Sequence, residues 1–123
     1  MAKSVTPKWG YHLAAGSLMD IPASYHAFIE WLMAVTRLPD TVLHIHAGMG
    51  ILVIGRLFSR RSLGTLVPLY AVVIAELGNE VMDRLYFGQW RWPDTLSDVA
   101  NTLFWPAIIC LAVRLRPLVI ARI

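Results

Sequence analysis

Apolar and polar positions along the chain sort into four helical stretches, and the third carries the sharpest signal. Leu66–Phe87 is built mainly of Val, Ile, Leu, Ala, Tyr and Met, yet Glu76, Asn79, Glu80 and Asp83 stand in it at i, i+3, i+4 and i+7. At helical periodicity that spacing puts all four on one stripe. Upstream, Pro22–Leu38 reads as a helix opened by Pro22, with Asp20 just before it. His26, Glu30 and Arg37 share one of its faces, while Phe28, Ile29, Trp31, Leu32 and Val35 cover the rest. That mixture favours a helix lying at a membrane interface, with a short tilted crossing as the other option. Pro39-Asp40 breaks the pattern, and Asp40 is the expected N-cap of the next helix.

Thr41–Phe58 follows as an apolar run containing Ala47, Gly48, Gly50 and Gly55, small residues that let helices approach closely. The hydrophilic Ser59-Arg60-Arg61-Ser62 link leads into Leu66–Phe87. Gly88–Asp94 is then expected as a loop whose Trp90 and Trp92 suit the headgroup belt. The last run is Thr95–Leu115, with Pro106 inside it as an expected kink and Pro117 just past its end. Residues 1–21 read as an irregular arm, which leaves 22–123 as one helical domain.

Runs of about 18–22 residues are long enough, at about 1.5 Å rise each, for a hydrocarbon core of about 30 Å. Composition agrees. The 123-residue chain is 57% hydrophobic and 15% charged, with a mean hydropathy of +0.57. A soluble domain of that size has too much surface to hide so many apolar side chains. The expected fold is therefore all-α, an integral membrane helical bundle with three transmembrane helices (41–58, 66–87 and 95–115) and an N-terminal interfacial helix (22–38). The net charge of +3 does not point to nucleic acid, because the Arg residues cluster at the ends of apolar runs, where membrane lipid headgroups are the expected partner.

Arg56, Arg60 and Arg61 in one link, and Arg114, Arg116 and Arg122 at the C-terminus, place both on the cytoplasmic side by the positive-inside rule. Met1–Asp20 lacks the continuous apolar core and cleavage site of a signal peptide, so none is expected. The single cysteine, Cys110, lies in an apolar run, forms no intrachain disulfide and reads as a small buried hydrophobe.

Three crossings in that orientation bring the polar side chains to one depth. His44 is one turn into the first span, Glu80 and Asp83 are in the outer half of the second, and Asp98 and Asn101 open the third. One inter-helix cluster of His44, Glu76, Asn79, Glu80, Asp83, Asp98 and Asn101, open to the outer face, is the expected result. Three uses fit it. A hydrogen-bonded network that glues helices together explains the two asparagines, with Asp98 and Asn101 capping their own helix. A divalent cation (Mg²⁺, Mn²⁺ or Zn²⁺) held by His44, Glu76, Glu80 and Asp83 explains the crowded acids. Acid–base chemistry on a lipid-borne group would use His44, Glu80, Asp83 and Asp98, with Asn79, Asn101, Arg84 and Arg91 binding the substrate. Arg84 and Arg91 would otherwise neutralise the stripe. His44 and His46 do not form a helical ligand pair, since i and i+2 point apart.

Asp40-x-x-x-His44 opening a span, Glu76-x-x-Asn79 in the next, and Arg91 followed by Asp98 and Asn101 in the last resemble the VanZ-like membrane proteins over about residues 39–109. Thr41 and Asn79 stand where that pattern usually has Lys and Gln, and Glu80 and Asp83 are additional to it. The resemblance implies a multi-pass protein of the bacterial inner membrane with a role in the cell envelope. It implies no particular reaction. Two functions follow as expectations: binding or acting on an anionic or lipid-linked envelope component, or serving as a non-enzymatic subunit whose polar cluster docks it into a homo-oligomer or a larger membrane complex.

Overall fold

The computed structural model of the chain describes residues 20–121. Four helices follow one another: α1 (Ile21–Thr36), α2 (Asp40–Ser59), α3 (Leu66–Phe87) and α4 (Trp92–Ile120). No strand occurs among the described residues, and the fold is all-α. Residues 1–19 of the expected arm (1–21), and Arg122 in the C-terminal charge cluster, lie outside the described residues, and Ile21 already belongs to α1.

The helix ends follow from local chemistry. The Asp20 carboxylate accepts the Ala23 N–H at 3.2 Å and caps α1, with Pro22 in a first turn that needs no N–H from it. Sixteen residues make α1 about 24 Å long, short of a hydrocarbon core. Asp40 does not cap α2. Pro39 holds the cap position in extended conformation and Asp40 is the first helical residue, so its side chain lies one turn from His44 on the same face. The bounds of α3 are the expected ones, closed by Gly88 at φ 75°, a left-handed conformation that glycine adopts without a steric penalty.

The last helix differs most from expectation. It begins at Trp92 rather than Thr95, because Pro93 fits a first turn. It also continues to Ile120, so Pro117 lies inside it rather than past its end. Asp98 and Asn101 consequently sit in its second and third turns, and neither caps it.

α2, α3 and α4 pack on one another, and α1 packs on α3. The buried residues of α3 are Pro68, Val72, Glu76 and Glu80; those of α4 are Asp98, Thr102, Pro106 and Cys110. Each set recurs every fourth residue, as expected for ridges along the i±4 rows. Gly48 and Leu52 complete the contact from α2. Gly48 sits where a Cβ would stand 2.1 Å from the Thr102 carbonyl oxygen, whereas a Cβ at Gly50 would meet open space. The Cys110 thiol donates to the Thr65 carbonyl at 3.6 Å.

Polarity is inverted relative to a protein folded in water. Glu76, Glu80, Asp98 and Thr102 are buried, while Tyr70, Ile74, Leu77, Val81 and Leu85 form the exposed face of α3. The outer faces of α2 and α4 are equally apolar, with Ile54, Leu57 and Phe58 on one and Phe104, Ile108 and Leu111 on the other. α2 and α4 are long and apolar enough to cross a membrane. α3 has the length, but any stretch of it long enough to cross includes Glu76, Glu80 and Asp83.

The Gly48 crossing sets the distance between α2 and α4. Gly48→Ala should destabilise the protein by about 1–3 kcal/mol through overpacking, and Gly50→Ala should be tolerated. Thermal unfolding in detergent measures both; equal melting temperatures for the two variants would remove the close crossing.

Candidate functional site

The polar halves of the buried stripes meet at one end of the bundle, around His44. Its Nδ1 shares a hydrogen bond of 2.9 Å with the Thr102 hydroxyl and lies 3.5 Å from Glu76 Oε2. Its Nε2 faces Asp98 Oδ1 at 3.6 Å and Asp40 Oδ2 at 3.7 Å. The imidazole thus joins all three packed helices. Gly48, one turn after His44, makes this geometry accessible by letting α4 approach until Thr102 reaches the ring.

Behind the histidine, Glu76 is only 4% exposed, and its Oε1 has no hydrogen-bond partner among the described residues. A buried, unpaired carboxylate oxygen forfeits its hydration, a cost of several kcal/mol in general for charged groups. Carboxylate oxygens of Glu80, Asp83 and Asp98 lie within 4.8 Å of one another, as do ligand atoms of Asp40, His44 and Asp98. Asp98 belongs to both groups. The expected cation-site set His44, Glu76, Glu80 and Asp83 does not form one ligand group: Glu76 flanks the histidine, and Glu80 and Asp83 group with Asp98.

A cavity of about 830 Å³ opens beside this cluster. Its polar wall includes Asp40, His44, Glu76, Asp83 and Asp98, and its apolar wall includes Ile29, Leu32, Met33, Leu43 and Ile51. α1 forms one side of it. The Tyr25 hydroxyl donates to Asn79 Oδ1 at 2.6 Å, and His26 stacks on Tyr86 with ring centroids 4.0 Å apart. Burial, reinforced by the Asp83 and Glu76 carboxylates, raises the Tyr25 hydroxyl above its ordinary pKa and keeps it a donor.

The remaining candidates divide. Asn79 lines the cavity, but its amide oxygen is engaged by Tyr25. Asn101 donates to Ser97 Oγ in its own helix at 3.2 Å and does not reach the cavity. Arg91 sits at the mouth, paired with Asp94 and stacked over Phe87 at 4.3 Å. Arg84 lies on a shallow cleft with Asp83 and Gln89 outside the main cavity. Neither arginine forms an ion pair with the buried acids among the described residues. His46 bonds the Val42 carbonyl of its own helix at 2.8 Å.

Three participants were not expected. Asp40 is expected as a cap, and its i, i+4 spacing from His44 enters only through the family resemblance. Thr102 stands one turn after Asp98 on the same face, which was readable. The Tyr25 contact across 54 residues of sequence had no local signature. No family model, curated protein or solved structure matches this chain.

The Tyr25–Asn79 bond is the polar tie between α1 and the bundle. Tyr25→Phe should leave α2–α4 intact and raise amide exchange in α1 by about three- to tenfold, the equivalent of one net hydrogen bond. Unchanged α1 exchange would mean that the aromatic stack alone holds it.

Proposed function

We propose that the chain is a three-span protein of the bacterial inner membrane, with α2, α3 and α4 crossing and α1 lying along the outer surface. Its cavity receives the polar head of a lipid-linked envelope component. The observation that carries this reading is the cavity's two-sided wall. Acids and an imidazole stand on one side and aliphatic side chains of α1 and α2 on the other, a lining suited to an amphipathic ligand.

Membership of α3 among the spans is supported by its exposed face, which is apolar from Tyr70 to Leu85 while its acids turn inward. Arginines at the opposite ends of α2 and α4 from His44 and Asp98 support the orientation. The acids would repel an anionic headgroup and favour one rich in hydroxyl or ammonium donors, with an anionic linkage reaching no farther than Arg91 at the mouth. The docking role would gain from acids paired with Arg84 and Arg91, and Arg91 is instead bonded to Asp94.

Native mass spectrometry of the full chain, purified in mild detergent, tests the ligand. Wild type should carry a lipid-linked adduct. Asp83→Asn and Asp98→Asn, both in the cavity wall, keep shape but remove charge; they should fold normally and retain it about tenfold less, the effect of losing a charged hydrogen bond. No adduct on wild type, or undiminished adduct on both variants, would contradict the reading. Reporter fusions at Ser59 and after Ile123 should both be cytoplasmic, and one at Gln89 external; opposite sides for the first two would break the three-span topology.

A further inference from the structure

We propose that Asp40, His44 and Asp98 form a three-ligand site for a zinc-class divalent cation, its open coordination position turned to the cavity. This rests on the cavity reading above and specifies what its polar wall holds. The distances support an ion rather than direct bonding. His44 Nε2 stands 3.6 Å from Asp98 Oδ1 and 3.7 Å from Asp40 Oδ2, too far for hydrogen bonds. Separations slightly above 3 Å are what two ligands show when each is about 2.0–2.2 Å from a shared ion in tetrahedral arrangement. Ligand atoms of the three residues all lie within 4.8 Å of one another.

The other side of the ring supplies a second, independent observation. Metal-binding histidines hold their remaining nitrogen on a hydroxyl, carbonyl or carboxylate, which sets the tautomer and raises ligand basicity. His44 Nδ1 has that environment, with Thr102 Oγ1 at 2.9 Å and Glu76 Oε2 at 3.5 Å. An Nδ1–H tautomer donating to Thr102 directs the Nε2 lone pair between Asp40 and Asp98. Glu76, only 4% exposed, stands behind the ring, with Oε1 enclosed and without a hydrogen-bond partner among the described residues. Its negative charge behind the imidazole is balanced when a dication stands in front of it. Glu76 and Thr102 are positioning residues; Asp40, His44 and Asp98 are the ligands. Imidazole with two carboxylates suits Zn²⁺ or Mn²⁺ better than Mg²⁺ or Ca²⁺, which prefer all-oxygen sets.

The probe is Co²⁺, added to the chelator-treated full chain in detergent and then displaced by Zn²⁺. The expected result is one Co²⁺ per chain with visible absorption of a low-coordinate site, abolished by one equivalent of Zn²⁺. Glu76→Gln should weaken binding about tenfold by loosening the ring, and His44→Gln and Asp98→Asn should abolish the absorption. Side-chain ¹⁵N spectra of wild type provide a readout free of folding effects: Zn²⁺ should shift His44 Nε2 and leave His26 and His46 unmoved. Absence of Zn²⁺-displaceable Co²⁺ on wild type overturns the proposal. So does absorption that survives His44→Gln but vanishes in Glu80→Gln, which would put the ion in the other acid group. A chain that carries a lipid-linked adduct and binds no ion overturns this inference alone. One that binds the ion and carries no adduct overturns the ligand reading alone.

Discussion

Carboxylates in an apolar bundle have to face one another, and the rest of this structure follows from that constraint. An acid left toward hydrocarbon costs roughly 2.5–3.5 kcal/mol at mid-helix on insertion scales. α3 carries three, and in the proposed three-span arrangement that cost would set its rotation about its own axis. Glu76 and Glu80 turn inward with Pro68 and Val72, and Tyr70, Ile74, Leu77, Val81 and Leu85 turn out. Inward acids need partners of matching depth. α2 offers His44 and α4 offers Asp98 and Thr102, and Gly48 allows the approach that brings ring and hydroxyl to 2.9 Å. Packing and polarity are one device here, because the same every-fourth-residue stripe is apolar at one end of α3 and α4 and ionisable at the other.

Concentrating charge this way leaves a remainder. Asp40, Glu76 and Asp98 surround the His44 imidazole, Glu80 and Asp83 crowd the other side of the cluster, and Arg91 at the cavity mouth is committed to Asp94. Like charges at such range protonate or recruit a cation. The cavity beside them gives a ligand access to that imbalance, and the hydrogen-bonded attachment of α1 through Tyr25 gives the cavity its aliphatic wall. A purely adhesive network has no need of a Glu76 oxygen left unpaired among the described residues or of a cavity at its edge.

Periodicity made the helices legible. Leu66–Phe87 was readable to its end residues because Gly88 stops it and its stripe is continuous. α4 was read too short, since Pro93 and Pro117 look like punctuation in one dimension, while a first-turn proline and a tolerated interior one look the same in sequence. That His44, Glu76, Glu80, Asp83 and Asp98 lie at one end of the bundle was legible from their positions along the helices, whereas Asn101, expected with them, bonds within its own helix. Which acid touches the histidine was not legible, because that depends on helix rotation and on the Gly48 crossing. Asp40 was hidden by its suitability as a cap, and Tyr25 by a contact that only the packing of α1 creates.

Spin-label accessibility measures directly the depth and facing proposed for α3 within a bilayer. On a Cys110→Ala background in lipid nanodiscs, single labels at Leu77 and Val81 should relax with oxygen and resist a water-soluble nickel chelate. Labels at Ala47 and Ala75, which line the cavity, should respond to the chelate. Chelate accessibility at Leu77 and Val81 equal to that at Ala47 and Ala75 would contradict the account, since α3 would then lie in water and its acids would need no shelter.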